Sequence, residues 1–237
     1  MIIYINTNFE KSEITYTGIS FCEFLDYLEH TIDNLLIIKG DYIGNRTIGN
    51  FELIEGVDEI DKIKKESIIE GDFSCTDYSC YDDVKNISDE QIANFLFTAH
   101  MFKPLTNPFY SKLKNNFVYL SHDDSYFCKV IFKQIIDFSN IINKKILEMI
   151  NKKFSKKVKS IDKYTQSIIL EMSSSGILFD FNDILFTEQK LFLNIFSIGK
   201  YDDIDFIKNN ISEIKKTSFS LKSLVYDFKK EKWYLHW

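Results

Sequence analysis

His122, Asp123 and Asp124 stand side by side, the only place in 237 residues where an imidazole is followed by two carboxylates. Imidazole and carboxylate are the donors with which a hydrolytic metal centre holds a divalent cation and activates water. His100 is the candidate for a further donor. A centre of this kind needs three or more ligands, however, and Asp is also a preferred turn residue for reasons unrelated to metals. The sequence therefore reads Ser121–Ser125 as the loop of a hairpin. A metal-dependent hydrolase centred on His122-Asp123-Asp124 is the alternative reading. His100 lies four residues after Leu96 and eight after Ile92, on an apolar helical stripe, which predicts a core histidine. His30 reads as solvated, and His236 as either solvent-facing or at a packing seam. No metal and no cofactor is expected.

Other chemistries find less support. G-x-S-x-G, H-E-x-x-H and G-x-G-x-x-G do not occur, which leaves nucleophilic catalysis and dinucleotide binding without a motif. Gly40–Thr47 fails as a phosphate loop. It has three residues between its glycines, Arg46 where lysine is required, and a strand-like run after it. The four cysteines form no C-x-x-C pair, and Cys75 and Cys80 are five apart, so they read as reduced thiols.

Charge is more informative. Residues 1–100 carry 20 acidic and 7 basic side chains, a net of −13; residues 101–237 carry 15 and 22, a net of +7, and together these give −6. Between 52 and 90 there are 13 Asp/Glu against 4 Lys. Carboxylates gathered in this way steer basic partners by long-range field. Asp58, Glu59, Asp61, Asp82 and Asp83 are the candidate binding residues. They point to a protein that binds another protein, in the manner of an immunity or antitoxin-like inhibitor masking a basic effector. Lys144–Lys159 holds seven lysines and one glutamate and reads as a solvated helix face. With a single arginine in the chain, nucleic acid is the less expected partner.

The start, MIIYINTNFEKSEITY, has neither the basic nor the long apolar region of a secretion signal, and no run of about 18 apolar residues occurs. Together with an Ile-, Lys- and Asn-rich, Ala-poor composition, this predicts a cytoplasmic bacterial protein without membrane contact.

Positioning these residues requires a frame of strands and helices. Residues 2–5 read as a strand. Ser20 and Glu23 form a capping box that opens a helix with the stripe Phe21, Phe24, Leu25, Leu28 and Ile32. Residues 35–43 and 47–55 predict a hairpin around Gly44-Asn45-Arg46, and 56–87 an irregular acidic loop. Ser88 and Gln91 open a second helix, halted before Pro104. Residues 117–120 and 126–133 read as strands, followed by a helix of about twenty residues. Residues 167–172 and 177–181 suggest another hairpin, with a helix as the alternative for the first run; 203–215 reads as a helix, and 224–228 with 233–237 as a closing hairpin. The pattern predicts one α+β domain over 1–237, with antiparallel hairpins interleaved with four to five amphipathic helices. Any subdomain boundary would fall within 56–88. The aromatic last strand could also pair two copies of the chain.

Overall fold

Ile3 and Ile5 are fully buried and Tyr4 nearly so, which makes the first strand a core strand, as its unbroken apolar run requires. The computed structural model describes residues 1–39, 51–66, 73–80, 84–85, 88, 109, 111–122, 127–154, 157–201, 204–218 and 220–236. In chain order the first elements are β1 (Ile2–Asn8), β2 (Glu13–Thr17), α1 (Phe21–Tyr27), β3 (Asn34–Lys39), β4 (Phe51–Glu55) and α2 (Val57–Glu66). Next come β5 (Phe73–Asp77), β6 (Phe117–His122), β7 (Phe127–Phe132), α3 (Asp137–Lys153) and α4 (Lys163–Met172). The last are β8 (Ile177–Asp180), β9 (Leu185–Phe186), β10 (Lys190–Ser197), α5 (Ile204–Thr217), β11 (Ser220–Asp227) and β12 (Lys232–His236). The architecture is α+β, with every paired strand whose register is defined running antiparallel. Among the described residues no helix is long and apolar enough to cross a membrane.

Two compact units share the chain. The first comprises Met1–Glu10, Ile14–Ile19 and Ile136–Trp237; the second comprises Lys11–Glu13 and Ser20–Ile135. Residues 56–88 lie wholly inside the second unit.

In the first unit the strand order is β12-β11-β10-β8-β1-β2, with β9 added beside β10. Helix α5 covers one face: Ile207 and Ile214 pack with Tyr4, Leu178, Phe196 and Ile198. Its acidic first turn and its Lys215-Lys216 end suit the helix dipole. Helix α3 buries Phe138, Ile142 and Ile146, as its spacing predicts, and also Ile141 and Ile150. Lys145 of the same helix is only 2% exposed, so the lysine-rich run is not a uniformly solvated face. Residues 163–172 form helix α4 in place of the expected strand. Asp162 caps it, accepting from the Thr165 N–H at 3.0 Å and from the Thr165 hydroxyl at 2.8 Å. The closing hairpin pairs Leu224 with Leu235 and Tyr226 with Trp233. Val225 is buried as fully as its neighbours Leu224 and Tyr226, so β11 is covered on both faces, which strict alternation does not anticipate. Trp237 lies outside the described residues.

In the second unit the order is β7-β6-β5-β3-β4. The capping box forms as expected: the Ser20 N–H donates to Glu23 at 2.9 Å, and the Glu23 N–H to Ser20 Oγ at 3.3 Å. The helix is shorter than its apolar stripe. The backbone turns extended at Leu28, and Ile32 reaches the core from the segment that follows. Phe21 and Phe24 stack on the sheet through Phe73, Phe117 and Tyr119, with centroid separations of 4.7–5.2 Å. Within the expected irregular loop at 56–87, the described residues include helix α2 and the wholly buried strand β5. Topology explains the difference. Both β4 and β5 run antiparallel to β3, which lies between them. They therefore run parallel to each other, and their connection must cross the sheet, which a helix does while covering its apolar surface. The turn Gly44-Asn45-Arg46 and the helix expected from Ser88 toward Pro104 lie outside the described residues.

Candidate binding surface

Gly56 ends β4 with a φ of +88°, and its N–H donates to the Asp33 carbonyl at 2.9 Å. That turn starts α2, whose isoleucines Ile60 and Ile63 face inward at 1% and 5% exposure while Val57 is exposed. The same spacing forces Asp58 and Glu59 outward, and both are exposed in the first turn, where the helix dipole favours negative charge. Asp61 is partly exposed. Two of these carboxylates are partly offset, Glu59 by Lys62 at 2.5 Å and Asp61 by Lys64 at 3.2 Å. Pairs one helical turn apart at a surface hold little energy and leave the field only partly cancelled.

Strand β4 lies beside this helix and adds Glu52 and Glu55, both exposed. Among the described residues β4 pairs only with β3, which leaves its other edge of backbone N–H and C=O groups available. Asn34 holds the arrangement together. Its side-chain oxygen accepts from the Gly56 N–H at 3.3 Å, and its amide donates to the Tyr78 and Ser79 carbonyls. The Tyr78 hydroxyl donates to Glu55 at 3.4 Å.

Asp77, which the sequence counts only as one carboxylate of the acidic stretch 52–90, ends β5 on the other side of β3 and is 7% exposed. One carboxylate oxygen accepts from the backbone N–H groups of Asn116 at 2.8 Å and Phe117 at 3.1 Å, and the other from the Asn116 amide at 2.7 Å. Burial raises its pKa above the ordinary aspartate value, against the lowering effect of these hydrogen bonds and of His30. With both oxygens engaged, Asp77 anchors the β6 start to the end of β5. It is not placed as a general base. Burial, and secondarily the Asp77 charge, push the neighbouring Cys75 thiol up, so it remains protonated and unreactive at neutral pH.

Of the expected hydrolytic residues, His122 is the last residue of β6, its backbone opposite Phe127. Asp123, Asp124 and His100 lie outside the described residues, as do Asp82 and Asp83 of the expected acidic surface. Among the described residues no group of three or more His, Cys, Asp or Glu side chains is arranged to hold a metal ion. The structure thus brings Asp58, Glu59 and Asp61 onto one helix and adds Glu52 and Glu55. Glu52 and Glu55 are three apart in β4, so they lie on opposite faces of the strand, and both are exposed.

The first unit holds a separate shallow groove of about 300 Å³ between α4 and β12, lined by Asp162, Tyr164, Thr165, Lys232 and Tyr234 among others. Burial pushes the Asp162 carboxyl up, but the Thr165 hydrogen bonds prevail and hold it below the ordinary range. Asp162→Ala is expected to cost about 1 kcal/mol through the lost cap. A folded-state pKa below the unfolded one gives a contribution that is present above the unfolded value. The gap between wild type and variant in urea denaturation should therefore close as pH falls through the depressed pKa. A gap that widens on acidification would contradict this.

No family model, no curated protein and no solved structure matches the chain.

Proposed function

We propose that the chain is a binding protein that docks a basic protein partner on the acidic edge formed by β4 and α2. The observation that carries this reading is the conjunction of a strand edge that pairs with no further strand among the described residues and the exposed carboxylates of Glu52, Glu55, Asp58 and Glu59 beside it. Charge of one sign raises association rates and selects partners of the other sign. The strand edge offers main-chain hydrogen bonds to an extended segment of that partner. An inhibitor of the immunity or antitoxin kind, covering the basic surface of an effector, is the form that the charge favours.

The test uses an extended peptide that alternates lysine with valine or threonine. Glu52→Gln/Asp58→Asn/Glu59→Gln/Asp61→Asn should slow its association with the full chain by about ten-fold or more. The melting temperature should change little. A control with equal loss of charge elsewhere, Glu171→Gln/Glu188→Gln/Asp205→Asn/Glu213→Gln, should retain most of the rate. Equal slowing in the two variants would reduce the effect to net charge and overturn the reading.

A further inference from the structure

Three segments of the first unit meet at one end of its sheet. Phe154 follows the last turn of α3, Phe186 belongs to the two-residue strand β9, and Phe228 opens the turn between β11 and β12. The Phe154 and Phe186 rings stack with centroids 5.2 Å apart and planes 18° from parallel. Phe186 and Phe228 meet edge-on at 5.5 Å, and the Phe228 N–H donates to the Gln189 carbonyl at 2.9 Å, which fixes the two turns together. Leu185, which precedes Phe186 in β9, is 61% exposed, and Phe186 is 41% exposed. An adjoining pair of large apolar side chains this open is costly in water and calls for a cover.

The chain around this tip is cationic. Lys229 and Lys230 follow Phe228 directly and are exposed, as is Lys157. Lys153 donates to the Phe181 carbonyl at 2.7 Å and lies 6.0 Å from the centre of the Phe154 ring. The neighbouring acids are largely occupied. Asp227 accepts from the Lys229 and Lys230 N–H groups at 3.0 and 2.9 Å, and Glu231 is paired with Lys159. Glu188 remains as an exposed carboxylate on the tip.

We propose that the Leu185-Phe186 tip, with Lys153, Lys157, Lys229 and Lys230 around it, docks the first unit onto an anionic membrane surface. Apolar side chains that enter the boundary between headgroups and acyl chains, flanked by lysines, are the two signals that peripheral attachment requires. A single-stranded nucleic acid would satisfy the lysines equally. It would also need open ring faces for stacking, yet here Phe154 and Phe186 cover each other's faces and the most exposed apolar group is aliphatic. The sequence reading expects no membrane contact because the tip residues are scattered along the chain and only the fold assembles them. The inference does not depend on the acidic edge of the second unit.

Flotation of the full chain with phosphatidylcholine vesicles, with and without phosphatidylserine, tests it. The chain should float with the anionic vesicles and stay behind with the neutral ones. Leu185→Ser removes no buried contact and should reduce binding several-fold. Lys229→Gln/Lys230→Gln should weaken it by about ten-fold or more. Unchanged flotation in both variants would overturn the proposal, as would equal binding to neutral vesicles. So would binding to an oligothymidine by fluorescence anisotropy with no vesicle binding.

Discussion

Asp77→Ala is expected to destabilise the protein by about 3 kcal/mol, because it removes the acceptor of one buried and two partly buried N–H donors at once. The Asn116 and Phe117 backbone groups and the Asn116 amide all end on this carboxylate, and no other acceptor is shown for them. Asp77→Asn keeps an oxygen for the two backbone donors and should cost much less. Both substitutions also remove a carboxyl whose titration makes the wild type depend on pH. Burial raises the Asp77 pKa in the folded state, so between the ordinary aspartate value and the raised one the folded protein binds more protons than the unfolded chain. Stability of the wild type should then fall as pH rises through that window, and the full penalty should be present above it. The asparagine variant lacks this group and should lose that part of the decline. Chemical denaturation of the three proteins across the window measures both effects. Equal losses for alanine and asparagine would show that the hydrogen bonds are not what Asp77 contributes.

Gly176→Ala is expected to be as damaging, for a backbone reason. Gly176 follows the short helix Ser173–Ser175 with a φ of +72°, its N–H donating to the Ser173 carbonyl and its own carbonyl accepting from the Ile198 N–H. A methyl group there would fall 1.8 Å from the Gly199 carbonyl oxygen and 3.1 Å from the Tyr4 hydroxyl. The nearest obstacle is main chain, which cannot rotate away, and that same carbonyl accepts from the Tyr4 hydroxyl at 3.0 Å. Left-handed strain and forced repacking together amount to about 3 kcal/mol or more. Gly56→Ala is the matched control. Its φ is +88°, but nothing lies within 4 Å of the added methyl, so only the conformational strain of about 1 kcal/mol remains. Comparable losses at the two positions in thermal unfolding would remove the close approach as the cause.

The sequence was most legible where one residue type had one local task. Ser20 and Glu23 could satisfy each other only as a cap, and the isoleucines spaced along 204–214 could share a face only as a helix. It was least legible where the reason for an element lay far away in the chain. Residues 57–66 look irregular because Ile60 and Ile63 are their only deeply buried apolar side chains. The helix exists because β3 separates β4 from β5. Residues 167–172 read as a strand on their β-branched content, yet Asp162, five residues earlier, caps them into α4. The candidate surface divides in the same way. Asp58, Glu59 and Asp61 were evident from composition, and Glu52 and Glu55 joined them once β4 proved to be an outer strand. Asp77 read only as one more carboxylate of the acidic stretch, because the partners that bury it are about 40 residues distant.

Backbone amide shifts of the full chain, followed during titration with the lysine-alternating peptide, locate the docking surface most directly. The account predicts that the largest changes fall on residues 52–66, where the β4 edge and the exposed face of α2 adjoin. Changes centred anywhere else, or none at saturating peptide, would contradict it.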